Sequence, residues 1–321
     1  MTKYFNKLFG KLVKKTNSID KDDSLPTEPR KYRHINESKS IENIVKEYPE
    51  QKDISSIQLT QFIAGSSQSV GIQRDHNEDA LFSLTTTLAS NSSNLPFGLY
   101  IVADGMGGHQ HGEIASSIAI RAIAEHILNK LFIPLVSLSP QPLKDSIQEI
   151  LINGVKIAHE TIQKKVTGGG TTLTTAIILS DQIVIAHVGD CRVYTVDPEG
   201  HMKVLTRDHS LVNRLVELGQ LTPGEAEVHP QRNVLYRALG QGDLPEPDII
   251  TEPRPKPGHL LICSDGLWGV VNEDTLSQII MTHESPYEAC QEMIVKANEA
   301  GGPDNITTIL VRLPSESKKL E

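Results

Sequence analysis

From about residue 62 onward the chain switches between two hydrophobic patterns. Short β-branched-rich runs of strand length occupy 99–103, 173–179, 183–188, 191–196, 259–263 and 306–312. Longer stretches with helical spacing lie at 112–132 and 142–166, and two more at 273–283 and 286–300. Helices come in pairs and strands in clusters, which is not the strict alternation of a parallel sheet. Ser180, Asp181 and Gln182 join two of the runs at hairpin spacing, which argues for antiparallel pairing. The pattern predicts an α+β fold without internal repeats.

Two segments depart from this rhythm. Residues 207–233 form a polar insertion with one helical set, Leu211, Val212, Leu215 and Val216, followed by Gly and Pro. They predict a surface subdomain. The stretch from Pro245 to Pro257 predicts a rigid extended connector.

Residues 1–60 differ from the rest. The first fifteen place Tyr4, Phe5, Leu8, Phe9, Leu12 and Val13 at helical spacing with five lysines between them. That pattern suits a membrane surface or a docking partner. A lone short helix is marginal in water, so the segment also reads as a solvated terminus. Residues 16–58 are polar, with little periodicity, and predict a mostly disordered linker. The expected layout is an N-terminal segment at 1–60, a folded domain at 61–314 and a tail at 315–321.

Charge sharpens the contrast. Residues 1–60 carry 12 Lys/Arg against 9 Asp/Glu, and the remainder 19 against 31. An acidic body argues against nucleic-acid binding, which needs a basic face. Cys191, Cys263 and Cys290 form no CxxC pair, which predicts reduced thiols and a cytoplasmic location. No run approaches the ~18 apolar residues of a membrane span, and lysines interrupt the apolar residues of the N-terminus.

The chemistry begins with three aspartates that stand at the ends of apolar runs: Asp104 in LYIVADGMGGH, Asp265 in HLLICSDGLW and Asp304 in GGPDNITTILV. A strand that delivers an Asp to a loop fixes a negative charge in space. Three of them call for a hard cation such as Mg²⁺ or Mn²⁺. The run Gly105-Met106-Gly107-Gly108 lets a main-chain carbonyl approach a ligand. It is not a dinucleotide loop, because Gln110 stands where the third glycine belongs. His109 and His111 have no third zinc ligand at useful spacing. In RDHNED, Arg74 offers a planar fork for phosphate, and Glu78 and Asp79 add carboxylates of which only one can face a shared site. Asp190 follows a strand and a glycine in HVGDCRVY.

In order, RDHNEDA, VADGMGGH, GGGTTLTTAII, HVGDCRVY, LICSDGLW and GGPDNIT resemble the metal-dependent serine/threonine phosphatases of the protein phosphatase type 2C (PPM) family, bacterial type. The resemblance runs from about residue 62 to 313. It implies a four-layer αββα sandwich with two central antiparallel sheets and a two-metal site at one end. It also implies Mn²⁺ or Mg²⁺, two per site, and hydrolysis of phosphoserine and phosphothreonine on proteins by a metal-activated water, opposing Ser/Thr kinases. By resemblance Asp104 bridges both metals, the Gly105 carbonyl binds the second, and Asp265 and Asp304 complete the first. Glu78 acts on the second metal through water, with Asp79 beside it as a further candidate ligand. Asp190 with Asp265 holds a weaker third ion. Arg74 holds the substrate phosphate. Residues 207–233 correspond to a flap that flanks the site and contributes to substrate selection.

The chain departs from the family pattern at Met106, where eukaryotic members often carry the histidine proposed to protonate the leaving oxygen. His109 is the nearest candidate on that loop, with solvent as the other proton source. Gly169 replaces a usual Met, and Cys191 a usual Ser. Two rival readings remain open: a pseudophosphatase or adaptor that binds a signalling partner, and a partner-switching regulator with one dedicated protein substrate. Implied partners are phosphorylated proteins and a cognate kinase, with membrane-surface contact through residues 1–15.

Overall fold

A computed structural model describes residues 61–90, 93–107, 110–138 and 143–315. The segment 1–60, His109 and all but the first residue of the 315–321 tail lie outside the described residues.

Two five-stranded antiparallel sheets dominate. The first runs in the order β1 (Ile63–Ser69), β12 (Ile306–Leu313), β11 (Gly258–Cys263), β8 (Arg192–Val196) and β9 (Met202–Val204). The second runs β10 (Asp248–Pro253), β7 (Gln182–Val188), β6 (Leu173–Leu179), β3 (Ser93–Ala103) and β2 (Ala80–Ser90). The short strands β4 (Gly105–Met106) and β5 (Gly170–Thr171) pair separately. The predicted hairpin joins β6 to β7, with Ser180 at φ 55° in its turn.

Side-chain alternation explains the layers. On β3, Leu99, Ile101 and Ala103 enter one hydrophobic cluster while Tyr100 and Val102 enter another. On β11, Leu260 and Ile262 face the same intersheet cluster, and Leu261 and Cys263 face a third. Strands buried on both faces read as continuous apolar runs, which is why their period of two was invisible in the sequence. The intersheet cluster lies between the two sheets. The others lie under helices: α1 (Gln110–Ile127) and α3 (Ile147–Lys165) over the second sheet, α7 (Glu273–Thr282) and α8 (Pro286–Glu299) over the first. Three apolar interfaces make four layers, as the resemblance implied.

Helix ends follow local chemistry. The pattern at 142–166 begins as helix only at Ile147, because Ser146 caps it. The Ser146 hydroxyl accepts from Glu149 N–H and the Glu149 carboxylate accepts from Ser146 N–H. Such a cap contributes about 1 kcal/mol. The pattern at 112–132 runs through a wider π turn, Leu128–Phe132, into α2 (Ile133–Val136).

Besides the short β4, β5 and β9, three strands escaped the periodicity. In β1, IAGSSQS is built from small polar residues that let α8 approach. A Cβ on Gly65 would stand 2.2 Å from the Tyr287 nitrogen. β2 is threonine-rich and forms an edge of its sheet. β10 falls inside the proline-rich stretch, which is extended as expected but is an edge strand paired with β7 rather than a connector. The insertion at 207–233 forms two short helices, α4 (Leu211–Glu217) and α5 (Pro223–Glu227). Its two ends meet at an isolated Ser210–Leu235 bridge.

Candidate functional site

One cleft of about 480 Å³ gathers most of the predicted residues. Arg74, Glu78, Asp104, Gly105, Asp190, Asp265 and Asp304 all line it. They arrive from six places: the loop before β2, the ends of β3 and β7, the start of α6 (Asp265–Trp268), β4, and the loop before β12. A hollow of about 460 Å³ between α1 and α3 has Arg121 and Lys165 on its wall and no converging aspartates.

Asp104 is held by the GTT segment. Its N–H donates to Thr172 Oγ1 (2.9 Å), and its carbonyl accepts from Thr172 N–H (2.8 Å) and from the Thr171 hydroxyl (2.8 Å). The backbone is thus fixed while the carboxylate stays free to face the cleft. Gly105 is hemmed by backbone: a Cβ there would lie 2.4 Å from the Gly112 carbonyl oxygen. At Gly112 a Cβ would fall 1.8 Å from Glu78 Oε2. That glycine, at the start of α1, leaves the space the Glu78 carboxylate occupies.

Asn305 ties two ligand-bearing loops together. Its Oδ1 accepts from Glu78 N–H (2.8 Å), while its Nδ2 donates to the Val70 (2.7 Å) and His76 (2.9 Å) carbonyls. Its own N–H donates to Asp304 Oδ1 (2.8 Å). Arg74 Nη2 donates to the other oxygen of Asp304 at 2.6 Å. His76 lines the cleft and its Nε2 donates to Glu78 Oε1 (3.1 Å).

Asp79 points the other way from Glu78. It is buried beneath the cleft, where Oδ2 accepts from the Ser264 hydroxyl (2.8 Å). Only Glu78 of this adjacent pair reaches the cleft, although the pair lies in the loop before β2 rather than on a strand. Asp190 is also buried, and its carbonyl accepts from Trp268 Nε1–H (3.0 Å). The Arg192 guanidinium lies 3.5 Å above the Trp268 ring and makes a two-pronged pair with Asp208 (3.1 and 2.8 Å).

These carboxylates strain against one another. Burial, then the charges of Asp79, Asp265, Asp190 and Asp304, holds Asp104 well above the usual carboxylate range. Burial and Asp265 do the same to Asp190. Burial and Asp304 push Asp265 up to about 6, and burial with Asp265 and Asp304 pushes Asp79 up to about 7. Oδ1 of Asp265 and Oδ1 of Asp79 are buried without a hydrogen-bond partner among the described residues. Unpartnered acceptors packed against like charges are the environment a hard divalent cation relieves, so the donor set fits one.

The sequence pattern singled out seven residues that line the cleft, but not Asp75, which lines it too. It did not assign Thr171, Thr172, Ser264, Asn305 or His76. Each sits inside a motif already noted, but a residue that acts by donating to a neighbour's backbone leaves no charge or spacing signal. Met106 lines the cleft at the position where a histidine was missing. His109 lies outside the described residues, and His111 sits exposed in the first turn of α1.

Comparison with known proteins agrees with this geometry. The family description "Protein phosphatase 2C" matches residues 71–299. The serine/threonine phosphatase stp of Listeria welshimeri is 37% identical over 238 residues, covering 74% of this chain and 90% of its own. The serine/threonine phosphatase of S. agalactiae superimposes with a TM-score of 0.66 at 30% identity, covering 79% of this chain and all of that one. The catalytic domain of the phosphatase PstP, solved with two manganese ions, gives a TM-score of 0.63 at 26% identity over 79% of this chain and 99% of its own. With its cleft, its aspartates and 229 consecutive residues matching one profile, the chain belongs to the protein phosphatase 2C family.

Proposed function

We propose that Asp104, Asp265, Asp304, Glu78 and the Gly105 carbonyl hold two divalent cations at the floor of the cleft, serving the hydrolysis of phosphoserine and phosphothreonine on proteins. The chain is a protein-serine/threonine phosphatase of a metal-dependent family, acting on phosphorylated proteins in Ser/Thr kinase signalling. The observation that supports the site most strongly is the convergence of Asp104, Asp265 and Asp304 on one cleft, with Asp265 Oδ1 buried and without a hydrogen-bond partner among the described residues.

When bound, two such ions supply an acidified water as nucleophile and offset charge on the phosphoryl oxygens. The chain does the rest. Asp104, its backbone mounted on Thr171 and Thr172, would offer its carboxylate to both ions, with Asp265 and Asp304 as further ligands to one and the Gly105 carbonyl and Glu78 to the other. His76 and the Gly112 gap aim the Glu78 carboxylate. Arg74 binds the substrate phosphate through its fork. Its pair with Asp304 is about half exposed and worth roughly 0–1 kcal/mol, so a phosphate displaces it at little cost. Asp79 supports the floor through Ser264. No covalent phosphoenzyme is required. The proton for the leaving oxygen comes from solvent or from His109.

The ions are Mn²⁺ or Mg²⁺, matched to an all-oxygen donor set, and PstP, a relative, carries two manganese ions. Asp190 with Asp265 forms a third, weaker site. Residues 61–314 make up the phosphatase domain, 207–233 its flap, 1–60 a segment for recruiting a cognate kinase or touching a membrane surface, and 315–321 a tail. No helix among the described residues is long and apolar enough to cross a membrane. An adaptor without turnover is disfavoured, since such a protein has no need of the full carboxylate set.

The test is hydrolysis of a phosphothreonine peptide with Mn²⁺, Mg²⁺ or EDTA, by wild type and Asp265→Asn. We expect turnover with either ion, none in EDTA, and a loss of at least about 100-fold in the variant. Activity that survives both EDTA and the substitution sinks this mechanism.

A further inference from the structure

One carboxylate of the body, outside the cleft, ties both ends of the flap. Asp248 is the first residue of β10, opposite His187 on β7. Its Oδ2 lies 3.1 Å from His209 Nε2, where the chain leaves the body for the flap. Its Oδ1 accepts from Arg237 Nη1 at 2.8 Å, where the chain returns. The two feet are also stitched by backbone: Tyr236 N–H donates to the His209 carbonyl (2.9 Å) and Leu211 N–H to the Val234 carbonyl (2.8 Å).

The hydrogen bonds fix the state of His209, which is fully buried. Its Nδ1 accepts from Gly189 N–H (3.1 Å), so that nitrogen carries no proton. The ring is therefore neutral with its proton on Nε2, and that proton points to Asp248. Arg237 Nη1, 3.2 Å from Nε2, is then a second donor and finds its acceptor in Asp248 instead. Burial, the largest influence on His209, favours the same neutral form.

His209 also holds the turn that carries Asp190 to the cleft. His209 N–H donates to the Gly189 carbonyl (2.7 Å), completing a reciprocal pair with the residue before Asp190. Gly189 has φ +118°, and a Cβ there would lie 2.5 Å from the Thr172 side chain. The turn is thus confined on both sides. At the far foot, Asn233 and Leu235 line the cleft, four and two residues before Arg237.

We propose that Asp248 is a positioning residue for protein substrates: by holding His209 and Arg237 it sets Asn233 and Leu235 over the cleft. A small aryl phosphate needs only the carboxylate floor and Arg74. A peptide chain extends beyond that floor and meets the flap. Asp248 therefore acts on recognition of the protein around the phosphate, not on the chemical step. Neither His209 nor Arg237 bonds Asp104 or Asp304, which are held through Thr171, Thr172 and Asn305. The inference rests on the phosphatase reading above.

The experiment compares wild type, Asp248→Ala and Arg237→Lys on a phosphothreonine peptide and on p-nitrophenyl phosphate with Mn²⁺, alongside amide hydrogen exchange. For Asp248→Ala we expect KM for the peptide to rise about 10-fold while both constants for the aryl phosphate stay within about 2-fold. Amides of Leu211–Leu235 should exchange at least about 5-fold faster, with β6 unchanged. Arg237→Lys keeps a donor for Oδ1 and should stay within about 3-fold of wild type on the peptide. Equal losses on both substrates, or unchanged peptide KM and unchanged flap exchange, overturn the proposal. Failure of wild type to hydrolyse either substrate would instead overturn the phosphatase reading. The exchange result decides the clamp without turnover.

Discussion

Asp104→Asn removes activity and at the same time makes the metal-free protein harder to melt. The two effects have one cause. The Asp104 side chain faces four other aspartates, and burial holds it well above the usual carboxylate range. In the absence of metal, folding at neutral pH forces this charge into a site that resists it. Asn keeps the shape and the backbone bonds to Thr171 and Thr172 but removes the charge. In EDTA the melting temperature should rise by roughly 2–4 °C, the shift that about 1 kcal/mol makes in a domain of this size. Turnover should fall at least about 10³-fold, equivalent to about 4 kcal/mol of transition-state stabilisation, because the shared ligand between two ions is gone. A variant that merely misfolds would lose activity and stability together. Loss of activity with lower stability in EDTA would contradict the account.

The stabilisation given by Mn²⁺ should grow as pH rises from about 5.5 to 8. Without metal, Asp265 titrates near 6 and Asp79 near 7, and Asp104 and Asp190 are also raised. Their ordinary value is about 4. A carboxyl raised in the folded state stabilises fold only while protonated, and that contribution is lost as pH climbs through the folded value. Metal replaces the protons and cancels the loss, so its benefit is greatest where the protons are gone. His187 runs in the opposite direction. Burial pushes it down to about 3, so its contribution is present above about 6.5 and lost as pH falls through the folded value. Taking the difference between melts with and without Mn²⁺ removes that background. At 100 times its dissociation constant the ion adds about 2.7 kcal/mol, or roughly 5–10 °C. A difference that stays flat across this pH range would contradict the assignment.

Much of this was legible in the sequence because charge at the end of an apolar run is a local signal. The runs ending at Asp104 and Asp265 became β3 and β11, and both aspartates reached the cleft. The four layers were implied by the motifs rather than by periodicity, since strands such as β11 are buried on both faces and show no alternation. β1 was hidden because its packing depends on Gly65 meeting α8, a contact between residues more than 200 positions apart. β10 was hidden by its prolines, and with it Asp248. Nothing near Asp248 in sequence suggests that its partners are His209 and Arg237. Thr172 and Asn305 were passed over for a similar reason: they act on the backbone of ligand-bearing loops, and such bonds appear only when the loops are brought together.

The most direct test counts ions. Metal-free wild type and Asp104→Asn are titrated with Mn²⁺ and the bound ions measured by calorimetry and by loss of the free-ion electron paramagnetic resonance signal. The account predicts two tightly held ions in the wild type and at most one in Asp104→Asn. The same stoichiometry and affinity in both proteins would contradict the claim that Asp104 joins two metals.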